Sequence, residues 1–331
     1  MSTHEDTIRA VLGTIPDPAG EGDIVSIGRV SIPPSTARIP TIILDVTGLA
    51  ADQRQSLESR IRETLPNEAG ITDARIAMTA DKVERRIIAV GSGKGGVGKS
   101  TVAANLAIAL ARSGRKVGLV DADIYGPSQP RILGSSDTPD AVEKQMIPVE
   151  AHGVKMLSIG QLVDADSALA WRGPMASNAL AQLLQGDWGD AELLVVDLPP
   201  GTGDVQLSLM QKWKPAGAVV VSTPQDLSLI DARRAIDLFR KMDVPVLGLI
   251  ENMSGYVCPN CGATSDPFGS GGAEAAADAM GLPFLGRIPL KLSIREASDA
   301  GRPPADGEGE EAGIFAQLAG AVMEQLAHAR R

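Results

Sequence analysis

The chain has 331 residues, 44% hydrophobic and 22% charged, with 31 Lys plus Arg against 41 Asp plus Glu, for a formal net charge of −10. Such a composition excludes a disordered or fibrous chain, and the length corresponds to about two domains. The acidic balance provides no Lys/Arg field for nucleic acid or anionic lipid. The sequence has no run of roughly 18 apolar residues, the length needed to span a bilayer, and the first 30 residues lack a signal-peptide core, so a cytoplasmic protein with neither partner is expected.

Residues 1–82 read as a small α+β domain. Ile8, Val11 and Leu12 stand at helical spacing, and Asp17-Pro18 breaks that pattern. Residues 24–32 and 41–46 read as strands. Leu57, Ile61 and Leu65, four apart, predict a helix over 51–65, and 71–79 reads as a last strand. The charged run from Asp81 to Arg86 is the expected linker. From 83 to 331 near-continuous apolar strands (87–90, 116–120, 193–196, 218–222, 246–250) alternate with helical patterns (101–113, 177–184, 229–241). That alternation predicts an α/β fold, a mostly parallel sheet covered by helices on both faces. The stretch 301–313, rich in Gly, Pro and Glu, reads as an exposed loop. Residues 313–331 set Ile314, Leu318, Val322 and Leu326 on one helical face. Gln317, Glu324 and Gln325 on the polar side do not suit a membrane surface, so this helix is expected to dock on its own core.

The strongest motif follows the strand at 87–90. Gly93, Lys94, Gly95, Gly96, Val97, Gly98, Lys99 and Ser100 match GxxxxGK[ST], and Thr101 opens a helix. Glycines let backbone N–H groups turn inward on phosphate oxygens at a helix N-terminus. Lys99 can reach the β and γ phosphates, and the Ser100 hydroxyl can ligate Mg²⁺. Gly91, Gly93 and Gly96 also spell GxGxxG with Asp121 ending the next strand, as in a dinucleotide site. That reading leaves Lys99-Ser100 without a use, so ATP is the expected ligand.

Asp121 and Asp123, and Asp197 through Asp204, follow two of the strands, at the carboxyl ends where parallel sheets place ligands. A strand-end aspartate can hold Mg²⁺ or orient a water, or it can simply cap the following helix. Asn252 follows another strand, either as a base contact or as a turn residue.

Cys258 and Cys261, the only cysteines, form a Cys-Pro-Asn-Cys turn that presents two thiolates to one metal. His4, His152 and His328 share no metal-ligand spacing with it. A two-fold dimer would bring two pairs together and complete a four-thiolate site at the interface. A [4Fe-4S] cluster bridging two subunits is the leading expectation, structural zinc and a redox pair the alternatives.

Lys94 with Gly98-Lys99-Ser100 gives the deviant Walker A form, in which the chain resembles the SIMIBI-class ATPases. In that class the early lysine reaches the partner subunit's nucleotide, which implies a homodimer and a catalytic Lys94 beside Lys99. The resemblance assigns Asp197 as the Walker B acid, Asp123 to water activation and Asp121 to shared Mg²⁺ coordination with Ser100 and Asp197. It also assigns Asn252 to adenine and the segment Arg287, Ile288, Pro289 to a second base contact.

With residues 121–128, Arg172-Gly173-Pro174-Met175, 197–204 and Glu251-Asn252-Met253-Ser254 in order before the cysteine turn, residues 87–330 closely resemble the Mrp/ApbC iron-sulfur cluster carriers. The resemblance implies slow ATP hydrolysis coupled to cluster delivery, apoproteins as recipients and a scaffold protein as cluster donor. The alternative is a positioning ATPase like MinD or ParA. The first module, with Ile15-Pro16-Asp17-Pro18 and then Asp23 to Gly28, resembles the MIP18-type domain. It lacks a cysteine around Gly48-Leu49-Ala50-Ala51 and is expected to be an adaptor surface.

Overall fold

The computed structural model describes residues 4–20, 22–33, 39–49, 51–79, 84–142, 145–162, 173–258 and 260–329. Arg172, Pro259 and the linker residues Asp81, Lys82 and Val83 lie outside that set. The chain divides into two compact units, Met1–Glu84 with Asp187–Asp190, and Arg85–Gly186 with Ala191–Arg331.

The first unit has helices His4–Leu12 and Ala51–Ala69 and a three-stranded sheet ordered Val30–Ser31, Thr41–Asp45, Arg75–Thr79. The central strand Thr41–Asp45 pairs antiparallel with Val30–Ser31 and parallel with Arg75–Thr79. Ile8, Leu12, Ile42, Leu44, Leu57, Ile61 and Leu65 form its buried core. The strand expected at 24–32 shrinks to Val30–Ser31. Asp23 Oδ1 accepts the backbone N–H groups of Val25 (2.9 Å) and Ser26 (2.8 Å), so the chain turns there instead of extending.

In the second unit the strands are β1 (Arg86–Ser92), β2 (Val117–Asp121), β3 (Val149–Ala151), β4 (Val154–Ser158), β5 (Leu193–Asp197), β6 (Gly217–Ser222), β7 (Val246–Asn252) and β8 (Phe284–Ile288). They form one sheet ordered β8-β7-β6-β1-β5-β2-β4-β3, parallel throughout except for the β3–β4 hairpin. Every residue of β2, β5 and β6 is buried, because helices cover both faces. Besides the short helix Gln129–Ile132, the helices are α1 (Lys99–Arg112), α2 (Gly173–Leu184), α3 (Asp204–Trp213), α4 (Asp226–Lys241), α5 (Gly272–Met280), α6 (Leu292–Asp299) and α7 (Glu310–His328).

Helix α1 is apolar on nearly every side, since it lies between the sheet and α7. Phe315, Leu318, Val322 and Leu326 of α7 are buried in that same core. The 301–313 stretch is not simply exposed: Ala305 is buried, and its N–H donates to the buried Asn105 Oδ1 at 2.8 Å. Among the described residues no helix is long and apolar enough to cross a membrane.

Candidate functional site

The loop from Ser92 to Gly98 joins central β1 to α1 and faces the carboxyl ends of β5 and β2. Gly93 packs so tightly on the backbone of Asp231 and Ala232 that a Cβ there would overlap it. Gly98 has φ +79°, and a Cβ on it would overlap the Asn252 amide. Lys94, Gly95, Gly96, Gly98, Lys99, Ser100 and Thr101 line a chamber of about 370 Å³, with Asp123, Arg131, Ser298 and Asp299 also on its wall. Gly93 and buried Val97 support the loop from behind.

Under the chamber lies a dense charge cluster. Lys99 Nζ sits 2.5 Å from Asp197 Oδ1 and 3.4 Å from both Asp123 Oδ2 and Ser100 Oγ. Burial opposes the ammonium, but Asp197, then Asp123 and Asp121, overcome it and hold Lys99 above its ordinary value. Gln129, fully buried, donates from Nε2 to Asp197 Oδ2 (2.8 Å) and Ser100 O (3.0 Å), tying Asp197 to the phosphate loop. Its Oε1 is buried without a hydrogen-bond partner. This oxygen, the Ser100 hydroxyl and the carboxylates of Asp197 and Asp123 are a hard-oxygen set that fits Mg²⁺ and its water shell.

Asp121 departs from the expected Mg²⁺ role. It stands opposite Asp197 as its register partner on the adjacent parallel strand and is fully buried. Its Oδ2 accepts from Ser128 N (3.0 Å), Gln129 N (3.0 Å) and Ser158 Oγ (2.9 Å), and its Oδ1 from Asp123 N (3.2 Å). Both oxygens are therefore engaged by the protein, and the residue anchors the short helix Gln129–Ile132 beside the chamber. Burial and the charge of Asp197 push its carboxyl up to about 7. A carboxyl raised on folding favours the folded state fully below about pH 4 and loses that contribution as pH rises through 7. We expect Asp121→Asn to flatten the decline of melting temperature between pH 5 and pH 8 in Mg²⁺-free buffer. A variant that keeps the wild-type slope would place the titrating group elsewhere.

A second cavity of about 160 Å³ shares Gly98, Thr101, Ser298 and Asp299 with the chamber and is otherwise lined by groups including Val102, Asn252, Met253, Ile288, Pro289, Leu290, Ile294 and Phe315. Its shape and apolar walls suit a base, and the junction suits a ribose. Asn252 Nδ2 donates to Val97 O at 2.8 Å, fixing the slot against the phosphate loop. Pro289 and Ile288 line the slot, whereas Arg287 turns away to Glu251 (3.2 Å) and Glu274. Arg131, Gln129, Ser298 and Asp299 carry no motif of their own, and sequence reasoning missed them. The signal was available only for Gln129, which falls eight residues after Asp121, just beyond the strand-end motif.

Cys258 and Cys261 sit at the tip of a two-stranded hairpin, Tyr256–Val257 against Thr264–Ser265, where the sequence suggested only a loop. The turn is closed by Cys258 N to Ala263 O and Gly262 N to Cys258 O, both 2.9 Å. Both thiols are free, Cys261 exposed and Cys258 half-buried. Backbone N–H groups of Asn260 and Cys261 and the Cys261 side chain hold the Cys258 thiol below its ordinary value, which favours the ligating thiolate. Among the described residues no group of three or more His, Cys, Asp and Glu converges on one point.

Known proteins resemble the chain over this same region and beyond it. A ParA-type family model described as NUBPL iron-transfer P-loop NTPase matches residues 83–324. A Deinococcus radiodurans iron-sulfur cluster carrier protein is 43% identical over 97% of this chain and 94% of its own length. The Escherichia coli K12 protein of the same name is 48% identical over 86% of this chain and 76% of its own. Among solved structures, an ADP complex of a nucleotide-binding protein from Archaeoglobus fulgidus is 38% identical, with TM-score 0.60 over 70% of this chain and 91% of that one. The Pyrococcus furiosus cell division ATPase MinD is 26% identical, with TM-score 0.54 over 72% of this chain and 98% of its own. By that family match and those identities, the chain belongs to the NUBPL iron-transfer P-loop NTPases, the Mrp/ApbC type.

Proposed function

We propose that this protein is an ATP-hydrolysing iron-sulfur cluster carrier that assembles a [4Fe-4S] cargo between two copies of the chain and delivers it to apoproteins. The observation that carries the reading is the Cys258/Cys261 pair, one thiol exposed and one half-buried, a two-thiolate half-site in the same unit as a triphosphate chamber. Four thiolates hold such a cluster, and a second copy supplies the missing two. The names of the Deinococcus and Escherichia relatives support an iron-sulfur cluster as the cargo.

In this reading the backbone N–H groups of the 93–98 loop cradle the phosphates. Lys99 turns from Asp197 toward the β and γ oxygens; Ser100 and Asp197 would hold Mg²⁺, which would supply neutralisation of the negative charge that builds up on the β and γ oxygens. Asp123, 3.4 Å from Lys99 and open to the chamber, orients the attacking water. Lys94 reaches the partner's nucleotide. Asn252 and Pro289 receive the base. Asp121 is assigned to positioning the 128–129 turn. The module at 1–82 serves as a MIP18-like adaptor surface, separate from the ATPase domain at 83–331.

The test is anaerobic reconstitution of the full chain with iron and sulfide, followed by visible absorption, metal content and mass in solution. About four irons and four sulfides per dimer support the carrier. Stoichiometric zinc on a monomer without cluster formation would overturn it.

A further inference from the structure

Glu251 and Asn252 are consecutive at the carboxyl end of β7, yet their side chains serve two different places. Asn252 lines the base slot and donates to Val97 O in the phosphate loop at 2.8 Å. Glu251, fully buried, accepts four hydrogen bonds: from Ser254 Oγ (2.7 Å), Gly271 N (3.0 Å), Ala273 N (2.7 Å) and Arg287 Nε (3.2 Å). Ser254 is where the chain enters the segment bearing the cysteine hairpin, and Gly271 is where it leaves. One carboxylate thus clamps both ends of the segment that holds Cys258 and Cys261.

The stem is tied to the slot a second time. Ser254 N donates to Ile288 O at 3.0 Å, and Leu290 N donates to Gly255 O at 2.9 Å. Ile288, Pro289 and Leu290 are the slot's own wall. A shift of that wall on nucleotide binding therefore reaches Ser254 and Gly255 through backbone hydrogen bonds, and the Glu251 carboxylate, which ties Ser254 to Gly271 and Ala273, carries it to both ends of the cysteine segment. Burial raises the Glu251 carboxyl, but its donors, Ser254 foremost, overcome this and hold it below its ordinary value, so the clamp is charged at neutral pH. A buried charge is a costly way to hold a turn that apolar packing could hold.

We infer that Glu251 is a positioning residue that couples the nucleotide slot to the cysteine pair, so that occupancy of the slot sets the placement of Cys258 and Cys261. This rests on the nucleotide and thiol roles proposed above and adds the route between them. Coupling of this kind is reciprocal: thiol ligation changes nucleotide affinity by the same factor that the nucleotide changes thiol ligation.

The experiment follows the alkylation rates of Cys258 and Cys261 in the reduced, metal-free full-length protein, with and without Mg²⁺ and ADP, by peptide mass spectrometry. Calorimetry records ADP binding in the same samples. In the wild type ADP changes the rate at one or both cysteines by about fivefold or more, the lower end of the usual coupling between linked sites. In Glu251→Gln, which still binds ADP, the two rates coincide. Glu251→Asp restores part of the response, which a merely structural loss would not. Ser254→Ala, which removes one donor and keeps the charge, gives an intermediate response and serves if Glu251→Gln does not fold. An unchanged ADP response in Glu251→Gln or, failing that, in Ser254→Ala overturns the inference, as does a wild type that binds ADP with no change at either thiol. A wild type that binds no ADP overturns the nucleotide reading itself, and the inference with it.

Discussion

Exchange of Lys99 for Met is expected to lower the stability of the ATPase unit by about 3–5 kcal/mol, the usual result of stranding a buried charge. Asp197 has no solvent exposure, and its Oδ1 has Lys99 at 2.5 Å as partner. Without the ammonium, Asp197 faces Asp121 across one strand spacing and Asp123 across the chamber floor. At roughly 2–4 °C per kcal/mol for a unit of this size, the melting transition should fall by roughly 6–20 °C. ATP hydrolysis should disappear, while cluster loading at Cys258 and Cys261 persists. The double variant Lys99→Met/Asp197→Asn removes both charges and should recover most of the melting temperature without recovering hydrolysis. A double variant that melts as low as the single one would show that packing, not charge, is what Lys99 contributes to the fold.

Exchange of Cys261 for Ala leaves one thiolate per chain, two per dimer, where four are needed. Iron and sulfide after reconstitution should fall from about four of each per dimer to background, and Cys258→Ala should do the same. Nucleotide affinity is expected to stay within about twofold in the metal-free proteins, since neither cysteine lines the chamber or the slot. Retained iron and sulfide in Cys261→Ala would contradict a bridging site. Stoichiometric zinc in the wild type, with no cluster formed, would return the chain to the positioning-ATPase reading that its likeness to MinD otherwise leaves as a shared fold.

The chamber was the most legible part of the molecule. Gly93 to Ser100 must lie between a strand and a helix to work, and the flanking apolar runs place it there. Asp197 and Asp123 could be read the same way, as strand-end acids. Asp121 shows the limit of that logic. A strand-end position says that a carboxylate faces the ligand side of the sheet, but not whether its oxygens are free. Ser128, Gln129 and Ser158 converge on it from 7, 8 and 37 residues away. Arg287 misleads in a similar way: next to two slot residues in sequence, it points to the opposite side of the strand because side chains alternate along β8.

What the sequence determined by itself is whatever local chemistry and periodicity encode. The parallel sheet follows from continuous Val, Ile and Leu runs, the phosphate loop from glycines and Lys99-Ser100, and the pairing of the two thiols from a four-residue cysteine turn. What only the tertiary structure decided is which partners each polar side chain finds. Gln129 on Asp197, Asn252 on Val97 and Glu251 on both ends of the cysteine segment join residues 68, 155 and up to 22 positions apart. The physical reason is that burying a polar group costs free energy unless it is hydrogen-bonded, and the folded chain meets that need with whichever donor or acceptor the packed elements bring near. No short-range pattern records that choice, so the clamp at Glu251 becomes visible only once β7, β8 and α5 stand side by side.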